Sequence, residues 1–303
     1  MIVDLPATTT SRINRRLVDL RASAGAVALG RVLTLVVLTS SDDAEDAIGA
    51  ATDASREHPS RVLVVVSGDP DGETALDAQI RVGSDAGAGE VVVLHLGGEL
   101  ADQGASVVVP LLLPDAPIVA WWPGDAPHRL AADPIGRLAQ RRITDAAACG
   151  DPLAALRSRA HHHSDGDTDM SWTRITRWRA LLAAALDLPP SQPVTSAVVR
   201  GAADSPSTDL LAAWLRSRLG CPVEREVAGE AGMHSVELHR GAGVISLSRP
   251  SGAQAVLSQP GEPDHRLGLA RRSVAECLAE ELRRLDPDVV YSDVVRSLDP
   301  SAA

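Results

Sequence analysis

The hydrophobic pattern changes character partway along the chain. In the first half, apolar residues run without interruption at Val32–Leu38 and Val62–Val66, as strands do when helices cover both faces of a sheet. Asp42 with Glu45 between them reads as a helix cap and its reciprocal partner, so the segment predicts a βαβ unit. Ala78–Val82, Val91–Leu96 and Ile118–Trp122 are further strands, while Val107–Leu113 fits either a strand or a short buried helix. Ahead of all these, a Thr8–Ser11 cap precedes Ile13, Leu17 and Leu20 at helical spacing, with a basic outer side.

In the second half the patterns alternate. Ser171–Asp187 carries Trp172, Ile175, Trp178, Leu182 and Leu186 on one face, with Arg174 and Arg177 opposite and Pro189-Pro190 as terminator, which predicts one amphipathic helix. A strand at Ser196–Arg200 and a helix at Ser207–Leu219 follow. Val223–Val227, His234–Arg240 and Val244–Ser248 alternate as half-buried strands do, and Gly241-Ala242-Gly243 suits a tight hairpin between the last two. Val274, Cys277, Leu278, Leu282 and Leu285 form one helical stripe, and Asp288–Leu298 a last short helix. Between the halves, Ala160–Met170 has no periodicity and reads as an interdomain loop. The expected fold is α/β: an N-terminal α/β domain (residues 1–165) with a largely parallel sheet, and a C-terminal α+β domain (residues 166–303) with an antiparallel sheet.

Composition narrows the chemistry. At 303 residues, 45% hydrophobic and 23% charged, the chain is long enough for two cores, since domains run about 100–200 residues. A net charge of −11 argues against tracking a nucleic-acid backbone, which needs a dense basic face. All 29 basic residues are arginine; without a lysine, a Walker-type phosphate loop, a Schiff-base or pyridoxal enzyme and a kinase phosphate site are excluded. Cys149, Cys221 and Cys277 are odd in number and widely spaced, so no disulfide framework or zinc cage is written and a cytoplasmic location is expected. The first residues carry no apolar signal core, and every apolar run is shorter than the ~20 residues a bilayer needs; no membrane association is expected.

No motif supplies catalysis. His161-His162-His163 beside Asp165, Asp167 and Asp169 resembles a metal cluster, but consecutive loop residues do not converge on one ion, and Met170 and Thr176 stand where an EF-hand needs glycine and a bidentate acid. A solvated linker is expected there. There is no G-x-S-x-G elbow. Gly241-Ala242-Gly243 introduces a strand where a dinucleotide site needs a helix, and Ser67–Gly72, with Asp69 and Asp71, reads as a turn. No catalytic residue, cofactor or metal is assigned. With no Phe, one Tyr and five Trp, large rigid contact area is concentrated in tryptophan. Trp121 and Trp122 are strand neighbours and point to opposite faces, so one is expected to pack and the other to meet a partner. Arg141-Arg142, near Asp133 and Asp145, fits an anion site or surface ion pairs. Trp172 and Trp178 lie in register with core positions.

Several blocks in order, DLPATTTSRIN (4–14), GRVLTLVV (30–37), ASREHPSRVLVV (54–65), DAPIVAWWPG (115–124), DPIGRLAQRRITD (133–145) and SWTRITRWR (171–179), closely resemble the OpcA family of glucose-6-phosphate dehydrogenase assembly proteins. The resemblance implies a non-catalytic helper and allosteric activator. It would bind the dehydrogenase, favour its active oligomer and so support NADPH production by the oxidative pentose phosphate route. It leaves the chain's own oligomeric state open. Because Trp and Arg dominate interface anchors, the expected partner contacts are Trp121, Trp122, Arg141, Arg142, Trp172, Arg174 and Arg177. The alternative is a sensor or enzyme of sugar phosphates or nucleotides that uses arginines near the first sheet. A weaker one is redox control through a cysteine.

Overall fold

The computed structural model describes residues 1–23, 32–83, 89–188, 192–229 and 231–299; the expected Pro189-Pro190 terminator lies outside them. In chain order the first elements are β1 (Ile2–Leu5), α1 (Thr10–Ser23), β2 (Leu33–Thr39), α2 (Ala44–Ala54), β3 (Ser60–Ser67), β4 (Ala75–Val82), β5 (Glu90–Gly97), α3 (Gly104–Val108), β6 (Ile118–Trp122) and β7 (Arg141–Thr144). Then come α4 (Pro152–His162), β8 (Asp167–Asp169), α5 (Met170–Arg174), α6 (Thr176–Asp187), β9 (Val194–Gly201), α7 (Pro206–Leu219), β10 (Val223–Val227), β11 (Met233–Arg240), β12 (Gly243–Ser248), β13 (Gln254–Ser258), β14 (His265–Gly268), α8 (Val274–Arg283) and α9 (Val289–Arg296). No helix among the described residues is long and apolar enough to cross a membrane.

These elements form two compact units, which the chain visits in turn. One comprises Met1–Thr144, Gly166–Thr168 and Val274–Pro287; the other comprises Asp145–Asp165, Asp169–Ser273 and Asp288–Ala303. The chain passes between the units after Thr144, Asp165, Thr168, Ser273 and Pro287. Two of the three aspartates expected in a solvated linker are built into structure instead: Asp167 is buried against Arg142 and Asp169 caps α5 by accepting from the Ser171 amide, while Asp165 is exposed and pairs with Arg296 at the surface. His161 and His162 end α4, and His163 Nε2 lies 2.9 Å from Ser292 Oγ.

The first unit is built on an eight-stranded sheet in the order β1-β4-β5-β3-β2-β6-β7-β8. β5, β3, β2, β6 and β7 pair in parallel, with β4 and β1 antiparallel at one edge. Its central strands are buried along nearly their whole length, which is why they read as unbroken apolar runs. Ile13, Leu17 and Leu20 of α1 join the core on one side with Leu63, Leu94 and Trp122. The ambiguous Val107–Leu113 resolves as the end of α3 and a 3₁₀ turn. The Ser67–Gly72 segment is a turn in which the Gly72 amide donates to Asp69 O. The Asp42/Glu45 cap is not formed: α2 starts after Asp43, which makes no side-chain cap bond. Glu45 turns instead to Arg81, accepting two hydrogen bonds at 3.0 and 2.6 Å. A full guanidinium offers more than one backbone amide.

The second unit carries a six-stranded sheet, β10-β9-β11-β12-β13-β14, antiparallel throughout except for the parallel β9–β10 pair. The parallel pair arises because α7 crosses from β9 to β10, a connection that a helix makes and a hairpin cannot. β11 and β12 close through the two-residue turn Gly241-Ala242, with Gly243 at φ +119°. Side chains of Ala197, Val199, Val236, Leu238, Ile245, Leu247 and Leu257 form the core face with Leu210, Leu211 and Leu215 of α7. The helix expected over Ser171–Asp187 is broken: Ile175 leaves helical geometry at φ −95°, ψ 4° and separates α5 from α6. Three β-branched residues, Thr173, Ile175 and Thr176, stand at that point and weaken helix continuity. Thr173 O is also engaged by Arg272 at 3.0 Å.

Candidate functional site

Of the seven expected contact residues, five are enclosed within their own unit. Trp121 and Trp122 are 0% and 3% exposed. The reason lies in the sheet: β6 sits between β2 and β7, and both of its faces are covered, so opposite-facing neighbours are both core. Trp121 Nε1 is buried without an acceptor, whereas Trp122 joins the cluster around α1.

Arg141 and Arg142 open β7 and are both buried. Arg141 donates through Nε and Nη2 to Glu281 Oε2 at 3.0 and 2.5 Å, and through Nη1 to Asp286 O at 2.8 Å. Arg142 meets Asp167 Oδ1 at 2.5 Å, Ala139 O at 2.8 Å and Gly136 O at 3.3 Å. These forks tie α8 and β8 to the sheet and leave neither guanidinium free, so neither expected role, anion site or surface ion pair, describes them. Trp172 is buried too; its Nε1 donates to Asp288 Oδ2 at 2.9 Å, and the Arg179 guanidinium stacks 3.5 Å above its ring. Arg174 is half-buried and bidentate to Asp145 at 2.6 and 2.5 Å. Arg177 is exposed.

Two features of the second unit present chemistry to the outside. The first is the outer face of its sheet. Register pairs Val198 with Glu237, Ser246 and Ser258 in one row, Ser196 with His239 and Val244 in a second, and Arg200 with Ser235, Ser248 and Val256 in a third. Apart from exposed Val244 and buried Ser235, these residues are half-buried, as they are when side chains touch their neighbours but nothing packs on top. The surface carries small and β-branched side chains and a charged cluster, in which Arg200 lies 2.5 Å from Glu226 and 2.7 Å from Glu237. Hydrogen bonds that Arg200 donates to Glu237 and Glu226 hold its pKa above its ordinary value against the opposing effect of burial.

The second feature is a cavity of about 350 Å³ lined by Arg174, Arg249, Arg271, Arg272, Trp178, Met233 and the first residues of α7. Arg249 and the Arg271-Arg272 pair escaped sequence reasoning. Locally, Arg271-Arg272 is the same dipeptide as Arg141-Arg142, and only the fold makes one pair structural and the other cavity-lining. Trp214 was also passed over; it is half-buried on α7, unlike Trp121, Trp122, Trp172 and Trp178.

The family model for the N-terminal domain of the glucose-6-phosphate dehydrogenase subunit, of the OpcA assembly type, matches residues 51–161. The model for the C-terminal domain of the same OpcA-type subunit matches residues 165–295. A search of curated proteins gives no match. Among solved structures, an oxidoreductase from Sinorhizobium meliloti is similar at 12% identity over 87% of this chain and 86% of that one, with a TM-score of 0.44. Biliverdin reductase from Synechocystis sp. PCC 6803, in complex with biliverdin and NADP+, is similar at 8% identity over 88% and 96%, also with a TM-score of 0.44. At these scores neither likeness bears on function. The two family matches together span most of the sequence, and the chain belongs to the OpcA family of glucose-6-phosphate dehydrogenase assembly proteins.

Proposed function

We propose that this protein binds glucose-6-phosphate dehydrogenase in the cytoplasm and shifts it toward its active oligomer, without catalysing a reaction itself. In that role it supports NADPH formation in the oxidative pentose phosphate route. The observation that carries this reading is the pair of family matches, both to domains of a glucose-6-phosphate dehydrogenase subunit. The mechanism is linkage: a protein that binds the assembled, active state more tightly than the inactive one raises the population of the former by that difference in affinity.

The contact surface we assign is the outer face of the second sheet, together with the exposed Arg177 and half-buried Trp214 as secondary candidates. Rows of Ser and Val desolvate cheaply, and the Arg200–Glu237 cluster can fix orientation. The test is to mix purified chain with the dehydrogenase and follow co-sedimentation and NADPH formation. Val198→Arg and Val256→Arg, which place unpaired charges on the sheet face, should weaken association by about 30-fold, the ~2 kcal/mol of an interface hot spot. Association untouched by both would remove the sheet face as the contact, and absence of any association would remove the reading.

A further inference from the structure

We propose that the arginine-lined cavity of the second unit is a binding site for a phosphate monoester, a small metabolite that carries one phosphate and hydroxyl groups. This does not rest on the dehydrogenase reading. The cavity, about 350 Å³, is lined by residues of the second unit alone and falls within the ~300–1,000 Å³ of small-molecule sites.

The case starts from uncompensated charge. Of the arginines here, Arg174 is neutralised by Asp145. Arg249 is not: at 7% exposed, it donates Nη1 to Leu269 O at 3.2 Å and Nη2 to Met233 O at 3.0 Å, and its Nε finds no acceptor. Arg271 donates Nη2 to Ala231 O at 2.7 Å. Among the described residues neither arginine has a carboxylate partner. Arg272 donates Nη1 to Thr173 O at 3.0 Å. Carbonyl dipoles orient the guanidinia of Arg249 and Arg271 but do not cancel their charge, and burying a cation without a counter-charge is costly. The cost is visible in Arg249, whose pKa is pushed down to about 10, first by burial and then by the charge of Arg271. A bound dianion supplies what is missing.

Two further features select the class of anion. The fourteen-residue α7 begins at the cavity: Ser205 is its cap, and Pro206 and Ser207 line the wall, so the positive end of the helix dipole borders the same space. Guanidinium forks beside a helix N-terminus match a tetrahedral dianion. The exposed Asp204 on the same lining repels a second anionic group but accepts hydroxyl hydrogens, which favours a hydroxylated phosphate ester over a diphosphate. Trp178, with the Arg249 guanidinium 5.3 Å from its ring, supplies an apolar wall for the carbon skeleton.

The test is calorimetric titration of the full chain with glucose 6-phosphate, glycerol 3-phosphate, inorganic phosphate and glucose, at two salt concentrations. Both monoesters should bind, inorganic phosphate more weakly and glucose not at all, with affinity falling as salt rises. Arg271→Gln, at an exposed position that leaves the core intact, should weaken monoester binding tenfold or more; Arg249→Met should abolish it in whatever fraction folds. No binding by either monoester, or binding that Arg271→Gln leaves unchanged, overturns the proposal. Inorganic phosphate binding as tightly as the esters overturns the monoester assignment. If Arg271→Gln weakens only association with the dehydrogenase, the cavity takes an acidic side chain of the partner and the proposal falls. Monoester binding without dehydrogenase association leaves it standing.

Discussion

Removing the carboxylate of Glu281 strands Arg141, and the size of the effect can be worked from the geometry. Arg141 is 5% exposed. Two of its three donating nitrogens reach one oxygen of Glu281, at 3.0 and 2.5 Å, and the third reaches Asp286 O. Glu281→Leu leaves the guanidinium buried with only that carbonyl, a loss of about 3–5 kcal/mol for a broken buried pair. The first unit has the size at which 1 kcal/mol moves the midpoint by about 2–4 °C, so unfolding should shift down by about 12 °C. The double replacement Arg141→Met with Glu281→Leu removes both charges and keeps the volume apolar, and should recover most of that loss. Circular dichroism melts of the wild type, both single variants and the double variant at neutral pH measure it. A Glu281→Leu midpoint within about 2 °C of wild type, or a double variant no better than the single, would refute the reasoning that this ion pair holds α8 to the sheet.

Other perturbations separate further parts of the account. Gly136→Ala builds a methyl 1.9 Å from Leu130 O; backbone must move, and chemical denaturation should report a loss of about 3 kcal/mol. The Arg81 hydrogen bonds hold the Glu45 carboxyl below its ordinary value, so the stability they lend is present above pH 4.5 and is lost as pH falls through the lowered folded-state value. Since Glu45 is largely exposed, Glu45→Gln should remove no more than about 0.5 kcal/mol, and a pH-dependent difference of several kcal/mol between the two proteins would contradict this. Cys277 is fully buried and Cys149 only partly so, so a thiol reagent should label Cys149 readily in the folded chain, and Cys277 only on unfolding.

Elements whose signal is local were legible in the sequence, and those decided by distant partners were not. Ile118–Trp122 and Val223–Val227 coincide with β6 and β10, because an apolar run bounded by prolines, in the first, and alternation of valine with charged residues after Pro222, in the second, each specify a strand locally. The burial of Arg141 depends on Glu281, 140 positions away, and that of Arg142 on Asp167; nothing near residue 141 announces either. Strand geometry does send Trp121 and Trp122 to opposite faces, but whether a second layer covers the far face is a property of the whole sheet. The polar tract after α4 misleads for a similar reason. Short aspartates that look solvated become caps and counter-ions once the chain brings amides and guanidinia to them. The cavity arginines follow the same rule in reverse, since Arg249, Arg271 and Arg272 sit at strand ends and in a connecting segment where sequence alone predicts solvent.

The central claim is that this chain acts by binding glucose-6-phosphate dehydrogenase. Sedimentation velocity of the dehydrogenase with and without an equimolar amount of the chain, with NADPH formation followed on the same samples, measures it. The account predicts a faster, jointly sedimenting species and a higher rate, both reduced by Val198→Arg. Unchanged sedimentation and unchanged rate at concentrations well above those of the cell would contradict it.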